Sequence, residues 1–130
     1  MKRIILGLSL LLMLVQNGFA KSDAEYDKMI ANEPDKVWKQ IYRCNKESLN
    51  HEFDGDVNVC LKAIELLKNN GWKEKDYQIM FLNSGILYVS SEKNYIKAYK
   101  YFLKAAKLGN TIAQGNLDIL CKYHSWVCKQ

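Results

Sequence analysis

Residues 94–121 read NYIKAYKYFLKAAKLGNTIAQGNLDILC. The residues at its recurring steps are Lys97-Ala98, Lys104-Ala105-Ala106, Gly109-Asn110 and Ala113-Gln114. None of these is a typical nucleophile or metal ligand, so the spacing must first be explained by packing. Ala98, Phe102, Ala105 and Ala106 recur at helical spacing over about 95–108, and Gly109-Asn110 stops the run. A further helix starts near Thr111 and carries Ala113, Leu117, Leu120 and Cys121. Small residues such as Gly85, Ala98 and Ala105 let neighbouring helices approach towards the short end of the ~8–10 Å range. Tyr88, Tyr101 and Phe102 then fill the gaps beside those contacts.

Working outward, residues 75–89 predict a helix with Ile79, Leu82, Ile86 and Val89 as its apolar stripe. FLNSGILY (81–88) and QGNLDILC (114–121) align with Asn83 over Asn116 and Leu87 over Leu120. The offset of about 33 residues is a period expected of helix-turn-helix repeats. Before it, Asp56 is a plausible N-cap for a helix presenting Val57, Cys60, Ala63, Ile64 and Leu67, which ends at Asn69-Asn70-Gly71. Trp72 is placed to fold back on that stripe. An earlier helix holds Val37, Trp38, Ile41, Tyr42 and Cys44, with Pro34 in its first turn and Asn32 or Glu33 near the cap. Residues 21–32 read as a polar leader without assigned order. No run alternates with period two, so the expected fold is all-α, and short loops make consecutive helices antiparallel.

MKRIILGLSLLLMLVQNGFA opens the chain with Lys2 and Arg3, an apolar run over 4–15, and Gly18 and Ala20 at the −3 and −1 positions. This predicts a signal peptide cleaved after Ala20. The run is too short to span a bilayer, which needs ~20 residues, so no stable membrane insertion of the mature chain is expected. The expected mature chain, residues 21–130, would be exported: periplasmic, with secretion as the alternative. Removing Lys2 and Arg3 from a formal charge of +5 leaves +3, carried by lysines scattered among acidic residues. Nucleic-acid binding calls for a basic stripe with interleaved aromatics, and lysines read as scattered singly do not predict one. In a small exported domain, Cys44, Cys60, Cys121 and Cys128 point to two disulfides. The sequence by itself leaves all three pairings open.

Lys97-Ala98, Tyr101, Lys104-Ala105-Ala106, Gly109 and Ala113-Gln114-Gly115-Asn116-Leu117 together resemble the Sel-one-like repeat, a relative of the tetratricopeptide repeat. Asp118 stands where that pattern has glycine. The resemblance implies a short α-solenoid of antiparallel helix hairpins, about two to two and a half repeats. It divides 33–130 into a degenerate repeat (35–72), a better one (77–110) and a terminal helix (111–130). It also implies disulfides that pin hairpins, Cys44 with Cys60 and Cys121 with Cys128. For the second pair the last helix must end near 123–125, because seven residues of straight helix separate Cα atoms by roughly 10 Å, beyond the ~7 Å that a disulfide bridges.

Other chemistry is weaker. Asp54, Asp56, Asn58 and Glu65 sit at calcium-loop positions, but Val59 occupies the place of the required glycine, so the bland reading is a polar turn. His51 and His124 read as turn residues, and no serine lies in a nucleophile elbow. No catalytic residue, cofactor or metal ligand is expected. Eight tyrosines and three tryptophans are many for this length, and Tyr and Trp suit protein interfaces. The expected contact residues are Tyr95, Tyr99, Lys97, Lys100 and Trp126. The function expected is non-enzymatic binding of another protein, in the manner of a dedicated inhibitor or immunity protein against a toxin or cell-wall enzyme. The alternative is a binder of peptidoglycan fragments or an enzyme acting on them.

Overall fold

Six α-helices, each started by a residue that satisfies free backbone N–H groups or by a tight turn, make up residues 21–129, which the computed structural model describes. The expected signal peptide, residues 1–20, lies outside the described residues. Helix α1 spans Asp23–Asn32 and corrects the reading of 21–32 as a leader. Ser22 accepts from the Glu25 N–H while Glu25 accepts from the Ser22 N–H, both at 3.1 Å, a reciprocal capping box. Buried Tyr26 anchors this short helix on the next.

Helix α2 spans Lys36–Asn50. Its cap is Asp35, which accepts from the Val37 N–H at 2.7 Å, so Pro34 lies in the link before the helix rather than in its first turn. Helix α3 spans Val57–Asn69 and is capped by Asp56, as its spacing predicts. A 3-10 turn, Glu74–Tyr77, leads into α4, Gln78–Ser90. Asn94 caps α5, Tyr95–Lys107, and Asn110 caps α6, Thr111–Tyr123. Gly71 and Gly109 close α3 and α5 with φ of +79° and +98°, a conformation that a Cβ disfavours.

Helix α4 is the centre of the molecule. Every residue from Met80 to Ser90 is buried, because α2 and α3 cover one side and α5 the other. The expected four-residue stripe is therefore too narrow, and its first member, Ile79, is 41% exposed. The polar residues of α4 are satisfied internally. Asn83 donates to Asn45 Oδ1 at 2.8 Å and accepts from Ser48 at 3.1 Å, and Ser84 donates to the Met80 carbonyl. Gly85 lets α5 approach: a Cβ there would stand 2.5 Å from the ring of Phe102.

Two disulfides close the structure. Cys44 on α2 pairs with Cys60 on α3, Cα atoms 4.6 Å apart and both side chains fully buried. Cys121 pairs with Cys128 at 5.6 Å. For that, α6 ends at Tyr123 and the tail returns as a 3-10 turn, Ser125–Lys129, which buries Val127. Among the described residues no helix is long and apolar enough to cross a membrane.

Candidate binding surface on the fifth helix

The surface begins with aromatic residues at and before the start of α4. Phe81 and Tyr88, seven apart, share one face of that helix, and Tyr77, the last residue of the preceding 3-10 turn, packs its ring against Phe81. Tyr101 of α5 inserts between Phe81 and Tyr88. The four rings form a continuous ladder with centroids 5.5 Å apart from Tyr77 to Phe81, 6.3 Å from Phe81 to Tyr101, and 5.4 Å from Tyr101 to Tyr88. Burial pushes the phenols of Tyr77, Tyr88 and Tyr101 above their ordinary value, so all three are neutral near pH 7.

Lysines lie over this ladder. Lys97, Lys100, Lys104 and Lys107 follow one another at spacings of three and four, and all are exposed on α5. Lys97 Nζ sits 5.6 Å from the centroid of Tyr88, and Lys104 Nζ 5.0 Å from that of Phe81. Each is within cation–π range. Lys100 and Lys107 make no ion pair or ring contact among the described residues. The helix YIKAYKYFLKAAK contains no acidic residue, so on this face the lysines form a stripe beside aromatic rings, which corrects the expectation of lysines scattered among acidic residues. Lys100, Leu103, Lys104 and Lys107, with Tyr101 below them, enclose a groove of about 330 Å³.

The expected contact residues divide between this surface and the neighbouring end of the fold. Lys97 and Lys100 belong to the lysine row. Tyr95 stacks on His124, ring centroids 4.1 Å apart, so it ties α5 to the turn at the end of α6. Tyr99 is half-buried against the core. Both tyrosines serve the fold. Trp126 lies on the terminal 3-10 turn and is 52% exposed, with Tyr123 nearby in sequence at 43%. That turn packs on both α5 and α6, so the exposed tryptophan and the lysine row border the same helix.

Sequence reasoning missed Leu103 and Lys107 as groove residues. The signal was present in the 3-4-3 spacing of lysines without an intervening acid, which puts all four on one side. It also missed a cluster at the opposite end of α1. His51 Nε2 lies 2.7 Å from Asp23 Oδ2 and its Nδ1 lies 3.5 Å from Asp54, so His51 is a tethered residue rather than a solvated one. Asn50 donates to Asp23 at 2.9 Å and to the Lys21 carbonyl at 2.8 Å. Hydrogen bonding from Asn50 and then His51 holds the Asp23 carboxyl below its usual range, and the bond to Asp23 raises His51. Among the described residues no group of three or more His, Cys, Asp or Glu side chains is gathered as a metal site.

Comparison with known proteins adds no name: no family model, no curated protein and no solved structure matches the chain.

Proposed function

We propose that the chain is an exported, non-catalytic helical-repeat protein that binds another protein through the outer face of α5. The observation that carries this is the row of four lysines, without an acidic neighbour on their helix, set over a ladder of four rings of which three are buried and Tyr101 is half-buried. Two of the lysines are held by those rings, and two make no ion pair or ring contact among the described residues. Like charges three or four residues apart destabilise a helix by ~0.2–0.5 kcal/mol per pair. Lys104 and Lys107 recover part of this from the dipole at the helix C-terminus; Lys97 and Lys100 lie too far from that end. A partner that brings negative charge relieves the repulsion.

The repeat reading supports the same function. Asn83 and Asn116 are both buried, 33 positions apart on α4 and α6, and helical-repeat proteins present faces to partners. Two disulfides suit export. In a chain this small, the role we propose is that of a dedicated inhibitor or immunity-type protein in the cell envelope.

The test is affinity capture from an envelope extract of the cell that makes the protein, using oxidised residues 21–130 and lysine-directed crosslinking. One stoichiometric protein joined at Lys97, Lys100, Lys104 or Lys107 supports the proposal. Retention of cell-wall fragments without a protein would support the peptidoglycan-binding alternative instead.

A further inference from the structure

We infer that the groove on α5 receives an acidic amphipathic segment of the partner protein, with carboxylates on the lysines and one apolar side chain between them. The inference rests on the protein-binding reading above and gives its partner a chemistry.

The row from Lys97 to Lys107 extends over ten residues, ~15 Å along the helix. That is three turns of an opposing helix or four to five residues of an extended strand. Successive lysines in the row, three or four residues apart, have Cβ atoms ~5–6 Å apart, within the screening length of ~8 Å at physiological salt, so they act on a ligand jointly. Between them the floor is apolar: the half-buried Leu103, the edge of Tyr101, and the methylene stems of the lysines themselves. A volume of about 330 Å³ has room for an apolar side chain between the lysines.

This floor separates a protein segment from other polyanions. A sulfated glycan or a phosphodiester chain offers charge but no aliphatic group to fill the space over Leu103. A nucleobase would need an open aromatic face. Tyr101 has one face stacked on Tyr88 at an interplanar angle of 29° and Phe81 at its other flank, so it presents an edge. A glutamate-flanked leucine or phenylalanine fits both features of the groove, and the protonated Tyr101 hydroxyl can donate to a carboxylate.

The probe is a fluorescein-labelled helical peptide with glutamates spaced i, i+3, i+7 and i+10 around a central leucine. Binding to oxidised residues 21–130 is read by anisotropy at two salt concentrations. The expected result is saturable binding that weakens at least tenfold when the glutamates become glutamines. The K100E/K107E variant should weaken it at least tenfold as well. Both positions are exposed and make no ion pair or ring contact among the described residues, so circular dichroism should show the fold kept, with at most a small shift in melting temperature from the changed charge pattern on the helix; K100Q/K107Q provides a milder second variant. Leu103→Ala, which leaves charge untouched, should weaken the peptide several-fold and leave a heparin fragment unaffected. Equal binding of the glutamine peptide, or by K100E/K107E, would overturn the inference. So would a heparin fragment binding as tightly as the peptide with Leu103→Ala changing neither. A captured native partner held equally by wild type and K100E/K107E would remove this groove while leaving protein binding intact.

Discussion

At the scale of single residues, two glycines on helices make opposite predictions. Gly85 lies where α4 and α5 touch, and a methyl there would stand 2.5 Å from Phe102. Phe102 is itself fully buried, so it cannot swing aside without displacing its neighbours. Gly85→Ala is expected to destabilise by about 1–3 kcal/mol, the usual range for overpacking a filled core. Gly115 meets nothing within 4 Å, and its φ is helical. Gly115→Ala should gain helix propensity of about 0.5–1 kcal/mol and raise the melting temperature. Thermal unfolding of both variants checks the pair: equal shifts in one direction would contradict the packing described. The same scale shows what a sequence can carry. Gly85 was recognisable as a close-packing residue because large side chains follow at helical spacing. Gly115 occupies a place in the repeat motif and looks the same in sequence, and only the neighbours of each distinguish them. The two buried asparagines teach the same lesson: Asn83 has three polar partners nearby, whereas the amide nitrogen of Asn116 has no hydrogen-bond partner among the described residues.

Elements were legible where their ends carry capping chemistry and an apolar stripe together. Asp56, Asn94 and Asn110 start helices that also have strong inner faces, and α3, α5 and α6 lie where the spacing puts them. Helix α1 has the cap without much stripe, Tyr26 being its one buried residue, so periodicity did not reveal it. Beside Tyr26, what holds α1 is polar contact with α2, through Asn50 and His51 to Asp23 and through Lys46 to Asp27, and that is a tertiary fact. This tether titrates. His51 is raised above its ordinary 6.5, chiefly by the Asp23 hydrogen bond and further by the charges of Asp23, Asp54 and Glu47. Its stabilisation is therefore complete below about pH 6.5 and is lost as pH rises through the raised value. Asp23 is lowered from 3.8, so its share is present above that value and is lost as pH falls through the lowered one. Both shares are present between the two. Hydrogen exchange of the α1 amides should accelerate from pH 6 to 8.5 beyond the intrinsic chemical rate, and His51→Gln should abolish the extra acceleration; an unchanged difference would show that the tether contributes nothing. At the other end, C121S/C128S should lower stability by roughly 2 kcal/mol through loop-closure entropy, with loss of the Tyr95–His124 stack seen in the aromatic proton shifts. Intact stacking in that variant would mean that Val127 alone holds the tail.

For the whole molecule, the decisive quantity is how much of α4 each hairpin covers. A helix buried all round belongs to neither hairpin alone: α3 and α2 cover one side and α5 the other. The polar joint runs the same way, since Asn83 on α4 reaches back to Asn45 and Ser48 on α2. The sequence hinted at two units through its 33-residue offset, yet the better-matching stretch, from Tyr77 onward, contains the helix that most needs the degenerate first half. Resemblance to a repeat is strongest where local spacing is kept, whereas stability depends on the residues that fill the joint. Several of those residues, such as Cys44, Leu67 and Leu82, lie outside the matched positions. A chain of residues 74–129 would expose the α2- and α3-facing side of α4 and leave the Asn83 amide without its partners. Returning that apolar face to water, at ~25 cal/mol for each Å², counts against a reserve of only about 5–15 kcal/mol in a domain of this size. The expected outcome is that this fragment, disulfide formed, shows little helix by circular dichroism or associates by light scattering. Mixing it with residues 21–73 should restore a one-to-one helical complex. A fragment that is monomeric, helical and cooperatively melting by itself would show that the two hairpins are independent units, and that the first serves the binding face on α5 by something other than its stability.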